Sequence, residues 1–295
     1  MTGRSVRLFL VDGSPLGLRT AEVGMWTGQA LVAPRTELER LSKRPEVRRT
    51  GTYVLVGPSE DPAFETAVYI GEGDDVWARI ARHDSNKDFW TWVVVFVSKD
   101  HNLTKAHVRW LEARLVEDVR AAKLVQVVNG NEPSGGKLPE AEEADMATFI
   151  ENIRLLLPVL GLNVFASVSG NADDAEVGGV RLRLAWDSAT AECIAKDGAF
   201  IVQKGSTARR SNVESLQNSY KNMRTRLVES GVLEPQGTNL LKFTQDYVFD
   251  SPTAAAVAVA GTSVNGRDTW KVASSGESYK QWQERQLEGH PSEDG

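Results

Sequence analysis

Residues 89–98 read FWTWVVVFVS, with Trp90, Trp92, Val94 and Phe96 alternating against Thr91, Val93, Val95 and Val97. A strand that is apolar on both faces must be covered on both, so this segment is expected at the centre of a sheet with packing layers above and below it. Two shorter runs, TGTYVLVG at 50–57 and TAVYIG at 66–71, supply neighbours. With 295 residues, 41% of them hydrophobic, the chain has room for about two such cores. No apolar run approaches the ~18 residues that suggest a membrane span, and the N-terminus lacks the long apolar segment of a signal peptide. A cytoplasmic protein without a membrane partner is expected.

After the central strand, NLTKAHVRWLEARLVEDVRAAK carries an apolar stripe at Val108, Leu111, Leu115, Val116 and Val119. The position that completes this stripe is Glu112. A carboxylate among buried side chains costs several kcal/mol unless it is paired, protonated or bound to a cation. An ion pair with Arg79 or Arg109 would satisfy it, and so would a hard metal such as Mg²⁺. The four histidines are scattered and Cys193 is alone, which leaves no Cys/His set for zinc and no internal disulfide.

The stretch VYIGEGDDVWARIARHD sets a strand against a Gly-x-Gly turn, then a helix with Arg79 and His83 one turn apart. It lacks the third glycine of a dinucleotide fingerprint and the Walker lysine, so a nucleotide cofactor is not expected. At helical i, i+4 spacing an Arg/His pair also suits a plain solvated face.

The net charge of −6 is unevenly placed. Residues 131–151 hold six acids against one lysine, whereas 196–226 hold seven basic residues against two acids. Punctuation divides the chain accordingly. Residues 1–50 form an extension, read as strand, turn at Asp12-Gly13, strand and helix, packed on a first module at 51–130. Residues 131–179 read as an acidic linker holding one helix, with a flexible connection at SVSGNADDAEVGG. Residues 180–275 form a small second module, and 276–295 a polar tail. The fold class is α+β.

The ordered set Gly51-Thr52-Tyr53, then Tyr69-Ile70-Gly71 sixteen residues after the first tyrosine, Arg79 ten further on, His83, Glu112 in a later helix and Asn129 in VVNGN resembles the motif succession of the GIY-YIG endonucleases. The resemblance covers about residues 50–130. It implies a compact sheet flanked by helices, with Tyr53, Tyr69, Arg79 and Glu112 projecting into one cleft. It also implies hydrolysis of DNA phosphodiesters with Mg²⁺, replaceable by Mn²⁺, on Glu112. Tyr53 would act as general base or orient the water, Tyr69 would position the phosphate, and Arg79 would stabilise the charge developing on phosphorus oxygens. His83 would orient Tyr53 or the water, and Asn129 would complete the set. Gly71 and Gly73 would let backbone approach a phosphate. Where relatives often carry a lysine after YIG this chain has Glu72, and an inactive binding or regulatory protein of the same fold is the alternative. Arg4, Arg7, Arg44, Arg48 and Arg49 are further candidates to line the cleft. Each module has one site, so a homodimer would be needed for a concerted double-strand break.

The second module, through GAFIVQKGSTARR, VFDSPTAAAVAVAG and SVNGRDTWKV, resembles the uncharacterised domain that follows GIY-YIG modules in some bacterial proteins, and the RAMA-like module for which DNA binding is suspected. Lys204, Arg209, Arg210, Lys221, Arg224 and Arg226 are the expected phosphate contacts, although a run of charge is also what a solvated face looks like. Ser251 is expected to cap a helix, Asn265-Gly266 to make a hairpin turn, and Trp270 to begin the return strand.

Overall fold

The computed structural model describes residues 3–165, 179–196 and 198–288, and the chain divides into two compact units, Met1–Phe165 and Ala166–Gly295. Each combines sheet and helix, an α+β architecture.

In the first unit, strands β1 (Val6–Leu10), β2 (Arg19–Val23), β3 (Gly28–Pro34), β4 (Gly51–Pro58), β5 (Thr66–Gly73), β6 (Trp92–Ser98) and β7 (Gln126–Val127) form one sheet in the order β1-β2-β3-β6-β4-β5-β7. The central strand expected from its two apolar faces is β6, fourth of seven. Val94 and Phe96 face one core with Val54, Ile70 and Leu111; Val93, Val95 and Val97 face another with Tyr53, Leu55, Ile80 and Trp90. Helices α1 (Leu38–Ser42) and α2 (Val76–Asn86) feed the second core, α3 (Lys105–Ala122) and α4 (Glu140–Val159) the first.

Two boundaries read from sequence move. The N-terminal residues enter the sheet itself: two strands rather than one follow the turn, and β3 pairs with β6 along its whole length, Gly28↔Ser98 to Pro34↔Trp92. The helix assigned to an acidic linker is α4, whose Met146, Phe149, Ile150, Ile153 and Leu157 pack into the first core. Its acids lie on the remaining, solvated face, so the helix expected from the sequence is there but belongs to the first core rather than to a linker. The connection at 167–179, with Asp173, Asp174 and Glu176, falls outside the described residues except for Gly179.

In the second unit, β8 (Val180–Trp186), β9 (Ala189–Lys196), β10 (Ala199–Val202), β14 (Tyr247–Phe249) and β15 (Lys271–Val272) form a sheet ordered β14-β10-β9-β8-β15. A smaller sheet orders β11 (Thr207–Arg209), β12 (Leu233–Gln236) and β13 (Leu240–Phe243) as β11-β13-β12. Helices α5 (Asn218–Glu229), α6 (Pro252–Ala260), α7 (Gly266–Thr269) and α8 (Tyr279–Glu288) complete it. Helix α6, capped by Ser251 Oγ accepting from the Ala254 amide, is buried from Ala255 to Ala260.

Asn265-Gly266 is not a hairpin turn. Asn265 Oδ1 accepts from the Arg267 amide and caps α7, while a Cβ on Gly266 would stand 2.2 Å from Pro252 carbonyl atoms, so the glycine lets α7 press on the start of α6. Trp270, fully buried, donates its indole N–H to the Pro252 carbonyl just before β15. The polar tail from 276 holds α8, whose Tyr279 and Trp282 pack on the core of the second unit. Among the described residues, no helix is long and apolar enough to cross a membrane.

Candidate active site

Strand β4 turns Tyr53 toward α2, and the pairing Tyr53↔Gly71 puts the phenol ring over a residue without a side chain. A Cβ at Gly71 would lie 2.4 Å from both Cζ and Oη of Tyr53. Gly73 plays the same part for Arg79, whose Cγ would be 2.8 Å from a Cβ there. The two glycines expected at a phosphate are therefore buried against the site's own side chains, and they make room for those rather than for a ligand. Asp75, accepting from the Ala78 amide, starts α2 at the register that sends Arg79 and His83 inward. The rings of Tyr53 and Tyr69 lie 6.3 Å apart, with that of His83 at 5.9 Å and 4.7 Å respectively. Glu112 on α3 faces the same cluster: its charge acts on both tyrosines, and that of Arg79 acts on it.

The cluster is poorly satisfied by itself. Among the described residues seven buried side-chain polar atoms lack a hydrogen-bond partner, and three of them are Tyr53 Oη, Arg79 Nε and His83 Nε2. Tyr53 is fully buried and close enough to Arg79 and Tyr69 to share its proton's environment, yet its hydroxyl has no aligned partner. Each orphaned group costs about 1–3 kcal/mol, and such costs concentrate where a site awaits something.

Electrostatics follow from burial. It raises the Tyr53 hydroxyl far above the usual phenol range, with Tyr69 adding to the effect and Arg79 opposing it, so Tyr53 is protonated at neutral pH. Burial, then the charge of Glu72, lift Glu112 from 4.5 to about 7. Burial, then Lys87, lower His83 from 6.5 to about 4 and leave its ring neutral. Lys87 Nζ also sits 4.5 Å from the centroid of the Tyr69 ring.

These shifts predict a pH signature in the metal-free protein. Glu112 binds its proton more tightly folded than unfolded, so its contribution to stability is complete below about pH 4.5 and is lost as pH rises through about 7. His83 runs the other way, its contribution being present above about 6.5 and lost as pH falls through about 4. Thermal melts of Glu112→Gln in EDTA are expected to lose less Tm than wild type between about pH 5 and 7.5. Equal slopes would show that Glu112 does not titrate in that window.

Three residues are placed differently from expectation or were missed. Asn129 spends its carboxamide on the backbone of β5, accepting from the Ile70 amide at 3.1 Å and donating to the Ile70 carbonyl at 2.7 Å. It continues the short β5–β7 pairing as a splint between Tyr69 and Gly71. Lys105, at the start of α3, puts Nζ 2.7 Å from Glu72 and 3.5 Å from Asp74. A lysine from α3 thus stands against Glu72, the residue that follows Tyr69-Ile70-Gly71. A cation in the first turn of a helix opposes the helix dipole, and that was the readable sign that Lys105 had carboxylate partners. Lys87, over Tyr69, left no such sign.

Of the N-terminal arginines, Arg48 and Arg49 line a cavity of about 440 Å³ with Asp74, Ser98 and His101. Arg4 is turned to Asn152 and Arg44 to Glu46.

The basic run of the second unit does not present one surface. Arg224 is 2% exposed: Nε donates to Asn212, and the two Nη groups to the carbonyls of Ala258 and Arg209. Burial, then the charge of Arg209, depress it to about 10. It is a structural staple, not a phosphate contact, and its place one turn after Tyr220 and before Leu227 on the apolar stripe of α5 carried that information. Arg224→Ala is expected to cost about 3 kcal/mol or more, read as an earlier urea midpoint of the second unit. A midpoint unchanged from wild type would contradict the staple. Lys204 and Arg210 are exposed; Lys221 donates to the Glu214 carbonyl at 2.7 Å, and Arg209 lies 3.8 Å from Asp187. Arg226, on α5, is half-buried.

Residues 182–283, most of the second unit, match the family described as a domain of unknown function, DUF4357. No curated protein matches the chain. No solved structure matches it either.

Proposed function

We propose that the first unit is a metal-dependent endonuclease that hydrolyses DNA phosphodiester bonds, in restriction, phage defence or DNA processing. The observation that carries this is the shared place of the orphaned polar atoms: Tyr53 Oη, Arg79 Nε and His83 Nε2 meet in one cluster beside Glu112. The other four such atoms, on Arg19, Trp26, Thr52 and Trp90, form no comparable group of titratable side chains, and it is this clustering beside a carboxylate that favours a site.

Glu112, with Glu72 acting on it through its charge, suits a hard divalent ion of the Mg²⁺ kind, which is held by one or two carboxylates plus water and substrate phosphate; Mn²⁺ would substitute. When bound, such an ion supplies Lewis-acid stabilisation of the charge that develops on the phosphate. Arg79 adds a fixed positive charge to the same place. Tyr53, holding its proton in the free state, orients the attacking water; to accept a proton from that water as a base it would first have to give up its own, which the added cation would favour. Tyr69 positions the phosphate, and the neutral ring of His83 serves as an acceptor beside both phenols. Glu72 was the support for an inactive relative, and Lys105 beside it weakens that alternative by returning a cation to the neighbourhood.

The test is cleavage of duplex, single-stranded and branched DNA in Mg²⁺ and in Mn²⁺, with Glu112→Gln alongside. Absence of cleavage by the wild-type chain on every substrate in both metals would overturn the proposal. In the second unit Lys204, Arg209, Arg210, Lys221 and Arg226 remain the proposed phosphate contacts. A cytoplasmic location and a homodimer complete the proposal, the latter readable by light scattering.

A further inference from the structure

The second unit contains a cavity of about 850 Å³ lined by Phe200, Arg267, Tyr279, Trp282, Gln283 and Gln286 among others. That volume is of the size that holds small organic ligands. Tyr279 and Trp282, one turn apart on α8, lie parallel with ring centroids 5.8 Å apart and 11° between planes. Phe200 meets Tyr279 edge-on at 5.6 Å. Arg267 Nε donates to Gln283 Oε1 at 2.9 Å, which fixes the guanidinium while leaving its two Nη groups without an ion pair among the described residues.

The lining chemistry restricts the occupant. Parallel, half-buried rings that line a cavity offer a face to another flat ring, and base–aromatic stacking is tolerant of base identity. Two carboxamides add donors and acceptors that can meet the polar edge of a heterocycle. The fixed guanidinium calls for an anion, and among the described residues no carboxylate lines the cavity to compete for it. Lipid tails would leave Arg267, Gln283 and Gln286 unmatched, and an acidic peptide would leave the stacked rings unused.

We propose that this cavity binds one nucleotide of single-stranded DNA, the base stacking on the Tyr279–Trp282 pair and a phosphate meeting Arg267. This gives the matched domain a ligand independently of cleavage by the first unit, and it needs no metal.

The full chain is titrated in EDTA with a fluorescein-labelled single-stranded dodecamer of thymidines, with a duplex of the same length and with free dTMP as competitors. The strand is expected to bind, and Trp282→Ala to weaken it roughly 5- to 150-fold, the equivalent of losing one stacked base. Arg267→Ala is expected to weaken binding and reduce the slope of log affinity against log salt by about 0.7, one phosphate on a single strand. Trp282→Phe keeps a ring and is expected to retain most of the affinity, which keeps the idea testable if the alanine variant misfolds. Wild-type affinity in folded Trp282→Ala and Arg267→Ala, or preference for the duplex with neither variant affected, would overturn the assignment. So would dTMP competing as well as the strand does. Cleavage without cavity binding would refute this assignment alone, and cavity binding without cleavage would refute the nuclease reading alone.

Discussion

Tyr53→Phe is expected to yield a protein that is more stable than wild type and fails to cleave DNA. The hydroxyl is fully buried, has no aligned partner and packs against Gly71, so removing it relieves about 1 kcal/mol or more of desolvation without opening a cavity of consequence. If the same oxygen orients the attacking water, cleavage falls about 10²- to 10⁴-fold. Urea denaturation and single-turnover cleavage on one preparation check both halves. A destabilised variant would reveal that Oη has a partner after all; a stable and fully active one would remove Tyr53 from the reaction.

If a charge-stabilising ion sits on Glu112 as proposed, Glu112→Gln is expected to keep its fold and lose at least about 10²-fold in cleavage, since the ion would lose its carboxylate while the side chain's shape is kept. The pKa near 7 sharpens this. A cation must displace the proton, so metal affinity of the wild type should rise as pH increases through about 7, and that rise should vanish in the variant. Calorimetric Mn²⁺ titrations at several pH values read this without reference to activity. Full cleavage by Glu112→Gln in Mg²⁺ would remove Glu112 from the site.

Much of the cluster was legible because its residues break local rules. Glu112 interrupts an apolar stripe, and Gly71 and Gly73 weaken a strand unless something needs the space. The glycines were legible only as exceptions, however: sequence gave the missing Cβ but not what fills its place, and a phosphate was expected where Tyr53 and Arg79 stand. Asn129 misled for a related reason, since a carboxamide that bonds backbone looks, in one dimension, the same as one that bonds a substrate. Lys105 lies 33 residues from Glu72, and only the packing of α3 on β5 makes them neighbours. Arg224 was hidden by composition: among six other basic residues it read as surface, while its phase on α5 assigned it to the core. Helix α4 was legible as a helix from the period of Met146, Phe149, Ile150 and Ile153, but its acids put it in a linker rather than against the first core.

The seven-residue zipper of β3 on β6 decides how this protein can be cut for experiment. A gene fragment spanning only the motif-bearing residues 51–130 would begin after β3 and stop before α4. It would strip the middle strand of one hydrogen-bonding partner and uncover Val94 and Phe96, leaving a flat, valine-rich border open to other chains. Such a fragment should be recovered in inclusion bodies, whereas one running from the start through Phe165 should remain monodisperse. The span that holds the candidate cluster is therefore shorter than the span expected to be expressible.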